Sequence, residues 1–126
     1  MMRSFLLACG LCVAATAHAQ SPGDYAGAKQ LADADEASLP SADAGAMRET
    51  QGAVLEAAIA GCATPAADTS PFVVVAELDA TGKVVRTWRE GSTPLAICVQ
   101  KRINGNTLAV PPRAPLFTSF ELSFTQ

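Results

Sequence analysis

Apolar and polar positions follow two different periods along this chain, and the switch between them divides it into elements. Met47, Val54, Leu55, Ala58, Ile59 and Cys62 recur at spacings of three, four and seven, which places them along one stripe of a helix over residues 43–60. Asp43 is positioned to cap its start, Gly61 to stop it and Pro65 to prevent its resumption. From residue 72 the period falls to two. Phe72, Val74, Ala76 and Leu78 face one way, and Val73, Val75 and Glu77 the other. Asp79-Ala80-Thr81-Gly82 then reads as a turn: the Asp side chain bonds its own backbone and the Gly takes the positive φ that closes a bulged hairpin. Residues 83–89 form the returning strand.

A second helix begins where Ser92 or Thr93 supplies a cap and Pro94 fits the first helical position. Leu95, Cys98, Val99 and Ile103 form its apolar stripe, and Gly105 follows its end. After an extended Pro-rich stretch, residues 108–115, a last strand over 116–124 places Leu116, Thr118, Phe120, Leu122 and Phe124 on one side. Ser119, Glu121 and Ser123 lie on the other, with Phe117 the apolar exception in the polar row.

The order helix, strand, strand, helix, strand constrains the topology. The tight turn makes the first two strands antiparallel, and a helix crossover returns the third parallel to the second, most simply beside the first. The expected fold is α+β: a three-stranded antiparallel sheet of order 2-1-3, with two helices on one face and the last strand at an edge.

Composition adds the compartment. Residues 1–19 read as a secretory signal, with Arg3 before an apolar run and Ala17-His18-Ala19 as the cleavage signature. A lipoprotein reading at Cys9 is the weaker one, because too few apolar residues precede it. Removal of the signal leaves Lys+Arg at 9 − 1 = 8 against 12 Asp+Glu, a formal charge of −4, which excludes a nucleic-acid binder that relies on neutralising phosphates. No later run reaches the roughly 18 apolar residues of a membrane span, so no integral membrane segment is expected. Cys62 and Cys98 are the one pair left in an exported chain and are expected to form a disulfide, closing a loop of roughly 37 residues. Residues 20–42 are Ala-rich and acidic; a short helix near residues 25–37 is compatible with them, yet it has little to bury, and the stretch reads as a mobile leader ahead of a domain at 43–126. Their acidic cluster, Asp33, Asp35 and Glu36, lacks the pattern of a calcium loop and reads as a solvated face.

Residues 72–124 resemble the TonB C-terminal domain superfamily, and more closely its cysteine-paired variant of the AgmX/PglI type. The resemblance is carried by the strand Val73-Val74-Val75-Ala76-Glu77-Leu78 and the turn Asp79-Ala80-Thr81-Gly82-Lys83-Val84-Val85. It continues through the helix Leu95-Ala96-Ile97-Cys98-Val99-Gln100-Lys101-Arg102, the entry Val110-Pro111-Pro112 and the ending Phe120-Glu121-Leu122-Ser123-Phe124, with Cys62 closing the preceding helix. It implies an adaptor that binds protein segments by adding a strand to an exposed sheet edge. The chain departs from the family in showing neither an inner-membrane anchor nor a long Pro-rich spacer.

Chemistry points the same way. His18 is the one histidine and leaves with the signal, and bridged cysteines offer no thiolate, so neither catalysis, a metal nor a cofactor is expected. Binding has two candidate surfaces. One is the last strand, where Phe117 and the row Ser119, Glu121, Ser123 form the outer face of a strand-accepting edge, unless Phe117 packs beneath the leader. The other is Arg86, Trp88 and Arg89 on the second strand. The expected function is an exported periplasmic adaptor for a protein partner of the cell envelope, and self-pairing through the last strand would give a homodimer. The alternative is a small periplasmic inhibitor or immunity-type protein whose acidic N-terminal part contacts an enzyme.

Overall fold

A computed structural model describes residues 22–124. The export signal expected over residues 1–19, with Cys9 in it, lies outside them. The elements run α1 (Tyr25–Ser38), α2 (Ser41–Cys62), β1 (Phe72–Leu78), β2 (Val84–Glu90), α3 (Pro94–Ile103) and β3 (Leu116–Leu122). Alternation along β1 makes both its faces apolar, so it needs cover above and below and takes the centre of the sheet. The strand order is β2-β1-β3 and both pairings are antiparallel, as the hairpin and crossover argument requires.

One face carries the main core. Phe72, Val74, Ala76 and Leu78 of β1 pack with Leu116, Phe120 and Leu122 of β3 and with Leu95, Ala96, Val99 and Ile103 of α3. α2 lies against this face through buried Met47 and Ala58, with Val54, Leu55 and Ile59 only partly covered. Cys62 and Cys98 are bonded to each other with their Cα atoms 5.8 Å apart, tying the end of α2 to α3. The link adds to the packing of α2 on the core and to its Thr50 and Gln51 hydrogen bonds.

The hairpin and α3 form for the reasons visible in their residues. Asp79 accepts from the Thr81 N–H at 2.9 Å, the Thr81 hydroxyl at 2.6 Å and the Lys83 N–H at 3.0 Å. The Thr81 hydroxyl first, then the backbone donors, hold the Asp79 carboxyl below its ordinary range against the opposing effect of desolvation. The turn therefore stabilises the fold above the ordinary carboxylate pKa and loses that contribution as pH falls through the depressed value. Thr93 caps α3 by accepting from the Ala96 N–H at 3.1 Å, with Pro94 in the first helical position.

Several boundaries differ from the expectation. α2 begins at Ser41 after Pro40 and has no side-chain cap, so Asp43 lies in its first turn instead of capping it. It also runs through Gly61 to Cys62, because the disulfide and the packing on α3 outweigh the weak helix preference of one Gly. β2 is displaced by one residue at each end, a β-bulge lying where Leu78 meets Val84, and β3 stops at Leu122 instead of Phe124.

The largest correction concerns the expected mobile leader. Residues 25–38 form α1, a 14-residue helix capped by Asp24, which accepts from the Gly27 N–H at 2.9 Å. The helix lies on the opposite face of the sheet from α2 and α3, where Ala28 and Ala32 pack with Val75, Trp88 and Phe117 in a second core. The segment has little apolar bulk, as its composition says. Two alanines one turn apart nonetheless let it lie close on the sheet, and its acids supply the remaining attachment.

Candidate protein-binding surface

Strand alternation divides the expected binding residues before any partner is considered. Trp88 stands on the α1 face, 7 % exposed, with its ring 5.9 Å from that of Phe117 and the Arg86 guanidinium 4.7 Å above it. Arg89, one residue on, points to the opposite face, where it donates to the Gly91 carbonyl at 2.6 Å and to Gln100 of α3. Arg86, Trp88 and Arg89 therefore do not form one patch: the first two belong to the second core and its rim, and the third to the α3 interface.

Phe117 is 5 % exposed and packs beneath α1. This corrects its place on an outer face, and the packing alternative holds because the leader is a helix. Phe117 also donates its main-chain N–H to Asp35 Oδ2 at 2.9 Å. The Ser119 N–H goes to Glu36 Oε1 at 2.6 Å, and the same oxygen accepts from the Thr118 hydroxyl at 2.9 Å. From the other face, Gln51 of α2 donates to the Thr118 hydroxyl at 2.6 Å and to the Ser119 carbonyl at 3.4 Å. Two consecutive outward-facing positions of the β3 edge are thus already bonded to side chains of α1 and α2.

Charged groups fasten the rest of α1. Lys29 bonds Asp33 on its own helix and Glu121 of β3, the latter at 2.9 Å. These bonds, that to Asp33 first, hold the Lys29 ammonium well above its ordinary pKa against the effect of burial. The contribution to folding is full below the ordinary lysine value and is lost only as pH climbs past it, so it does not vary near neutrality. Burial, then repulsion by Glu90 of β2 and the hydrogen bond that the Tyr25 hydroxyl donates to it, raise the pKa of the Tyr25 hydroxyl. Arg113 reaches Asp35 at 3.1 Å.

The uncovered part of the edge lies beyond Ser119. Phe117 and Ser119 point their main-chain groups away from β1, and by the same alternation Glu121 does so too. Glu121 and Ser123 line an open cavity of about 420 Å³ at the end of the sheet, together with Pro71, Phe72, Val73, Glu90 and Leu122. Its floor is apolar and its rim carries two carboxylates. A smaller cavity of about 160 Å³ opens where α1 meets α2, between Arg48, Met47 and the β3 edge at Thr118 and Ser119.

Sequence reasoning did not assign Tyr25, Lys29, Asp35, Glu36 or Gln51 to this surface. The signal that could have found the first four is the small-residue pair Ala28 and Ala32, which marks a face for close approach, with Asp35 and Glu36 one turn beyond it. Among the described residues there is no group of three or more His, Cys, Asp or Glu side chains arranged to hold a metal ion, and no helix long and apolar enough to cross a membrane. No family model, no curated protein and no solved structure matches the chain.

Proposed function

We propose that this chain is an exported, non-catalytic protein-binding module of the TonB C-terminal type that docks a segment of a cell-envelope partner at the edge of β3. The observation that carries the proposal is that β3 is an edge strand whose outward N–H groups at Phe117 and Ser119 are met by side chains instead of another strand. Such groups demand partners, and a docking segment can supply them. The stretch from Glu121 to Ser123, beside the apolar-floored cavity, is the part open to a partner while α1 is in place. The disulfide fits an oxidising compartment, and the signal-like pattern of residues 1–19 supports export to the periplasm.

Glu121→Pro tests the edge directly. It removes an outward N–H that makes no bond to β1, at an edge where proline is tolerated. Affinity capture from envelope extracts should recover a partner with the wild-type chain and with Glu121→Ala, which gives up the Lys29 pair but keeps the N–H, and lose it with Glu121→Pro, while stability changes by no more than about 1 kcal/mol between the two variants. Equal recovery of the same partner by all three chains would sink the edge-docking reading.

Deleting residues 20–42 does not separate an adaptor from an inhibitor. It would uncover Val75, Trp88 and Phe117 and so change the binding surface under either reading.

A further inference from the structure

The two cores are unequal. The main one joins both helices α2 and α3 to the sheet and is tied by the disulfide, whereas the second consists of Ala28, Ala32, Val75, Trp88 and Phe117. α1 buries only the alanines Ala28 and Ala32 in it, with Tyr25 half-buried at its edge, so the fully buried apolar area that holds this helix down is small. What remains is polar: the Lys29–Glu121 pair, the Arg113–Asp35 pair, and the Asp35 and Glu36 bonds to main-chain N–H groups of β3. α1 ends at Ser38 and α2 begins at Ser41, leaving Leu39 and Pro40 as the joint about which α1 could leave. Local openings start where buried apolar contact is least.

We propose that α1 is a built-in ligand. It fills a docking site made by the Val75, Trp88 and Phe117 surface and the outward N–H groups of Phe117 and Ser119, and a partner helix of the same chemistry competes for that site. Such a helix presents small residues one turn apart, which the flat aromatic surface accepts, followed by two adjacent carboxylates in register with the two N–H groups. A basic or bulky-faced helix does not fit. This deepens the edge-docking reading by naming a partner class for the covered half of the edge, and it rests on that reading. While α1 is bound in cis its effective concentration is high, so a competing segment must first meet an opened form and its apparent affinity falls by the fraction closed.

Trp88 is the one tryptophan of the chain and lies under α1, so its emission reports release of the helix separately from loss of the main core. The test uses the full mature chain, its Asp35→Ala/Glu36→Ala variant, and a labelled peptide spanning residues 22–39. In the variant, Trp88 emission should shift to the red while the disulfide-tied core keeps its cooperative melt. The peptide should bind this variant saturably and at least tenfold more tightly than it binds wild type, reversing the red shift. A peptide with Asp35→Ala and Glu36→Ala should lose most of that binding.

Amide exchange on the wild-type chain guards against a variant that does not fold. The Phe117 and Ser119 N–H groups should exchange at least tenfold faster than those of Val74 and Ala76 in β1, and faster still at high salt, where exposed charge pairs weaken. Exchange of all four at one rate, or a red shift in the variant with no peptide binding, would overturn the proposal. If the peptide fails but Glu121→Pro still abolishes partner capture, edge docking stands and the built-in ligand falls.

Discussion

Replacing Cys98 by Ser should lower the melting temperature on the order of 15–25 °C, the largest loss expected from any single substitution in this chain. The bridge spans a sequence separation of 36 residues, and opening a loop of that length costs about 3–4 kcal/mol in the chain-entropy picture. For a domain of this size each kcal/mol is worth roughly 4–8 °C. The structure raises the expectation above that of an ordinary surface bridge. α2 buries only Met47 and Ala58 fully, and its last residue is the bonded one, so without the link the helix C-terminus can peel from α3. Cys62→Ser should behave alike, and a reductant should bring wild type to the level of the variants without moving them further. Melting curves of all three chains with and without reductant decide the matter. Variants that melt within about 2 °C of wild type would show that packing alone holds α2.

Gly82→Val should be nearly as damaging, and for a reason that the turn pattern conveys only in part. Gly82 sits at φ +88°, a left-handed conformation that costs a side-chain-bearing residue about 1–2 kcal/mol. A Cβ there would also stand 2.5 Å from the Leu108 carbonyl oxygen and 2.7 Å from that of Ala109, both main-chain atoms that cannot swing aside. Forcing them apart would strain the bond from the Leu108 N–H to the Gly82 carbonyl, 2.8 Å long, which fastens the Pro-rich connection to the hairpin. Overpacking of this kind adds about 1–3 kcal/mol, for a total near 3–4. Gly105 supplies the control. It also has positive φ, +84°, but nothing lies within 4 Å of where its Cβ would be. Gly105→Val should therefore show the backbone cost alone, about 1–2 kcal/mol. Denaturant melts of both variants measure the difference, and equal losses would show that the Leu108 and Ala109 contacts carry no weight.

The elements that could be read from residues are those whose pattern and end signals agree. β1, the Asp79–Gly82 turn and the Thr93-Pro94 start of α3 each rest on local chemistry that needs no distant partner, and the pairing of Cys62 with Cys98 follows from there being one pair to make. A helix over residues 25–37 was legible as a possibility, but its docking on the sheet was hidden because little of its attachment is apolar. Periodicity detects large buried side chains, and this helix buries two alanines while fastening itself through Asp35, Glu36 and Lys29. In sequence such acids are indistinguishable from a solvated face. The same limit misplaced Phe117, since an apolar residue in a polar row can face either solvent or an unseen helix. It also grouped Arg89 with Arg86 and Trp88, although alternation along β2 separates them.

The linear chain determined the sheet, its strand order and the covalent tie, because hydrophobic period, turn chemistry and cysteine count act over short stretches or through topology alone. Tertiary structure decided which part of the β3 edge is open. That depends on carboxylates more than eighty residues upstream meeting two main-chain N–H groups, and only the folded arrangement of α1 on the second face of the sheet brings them within bonding distance.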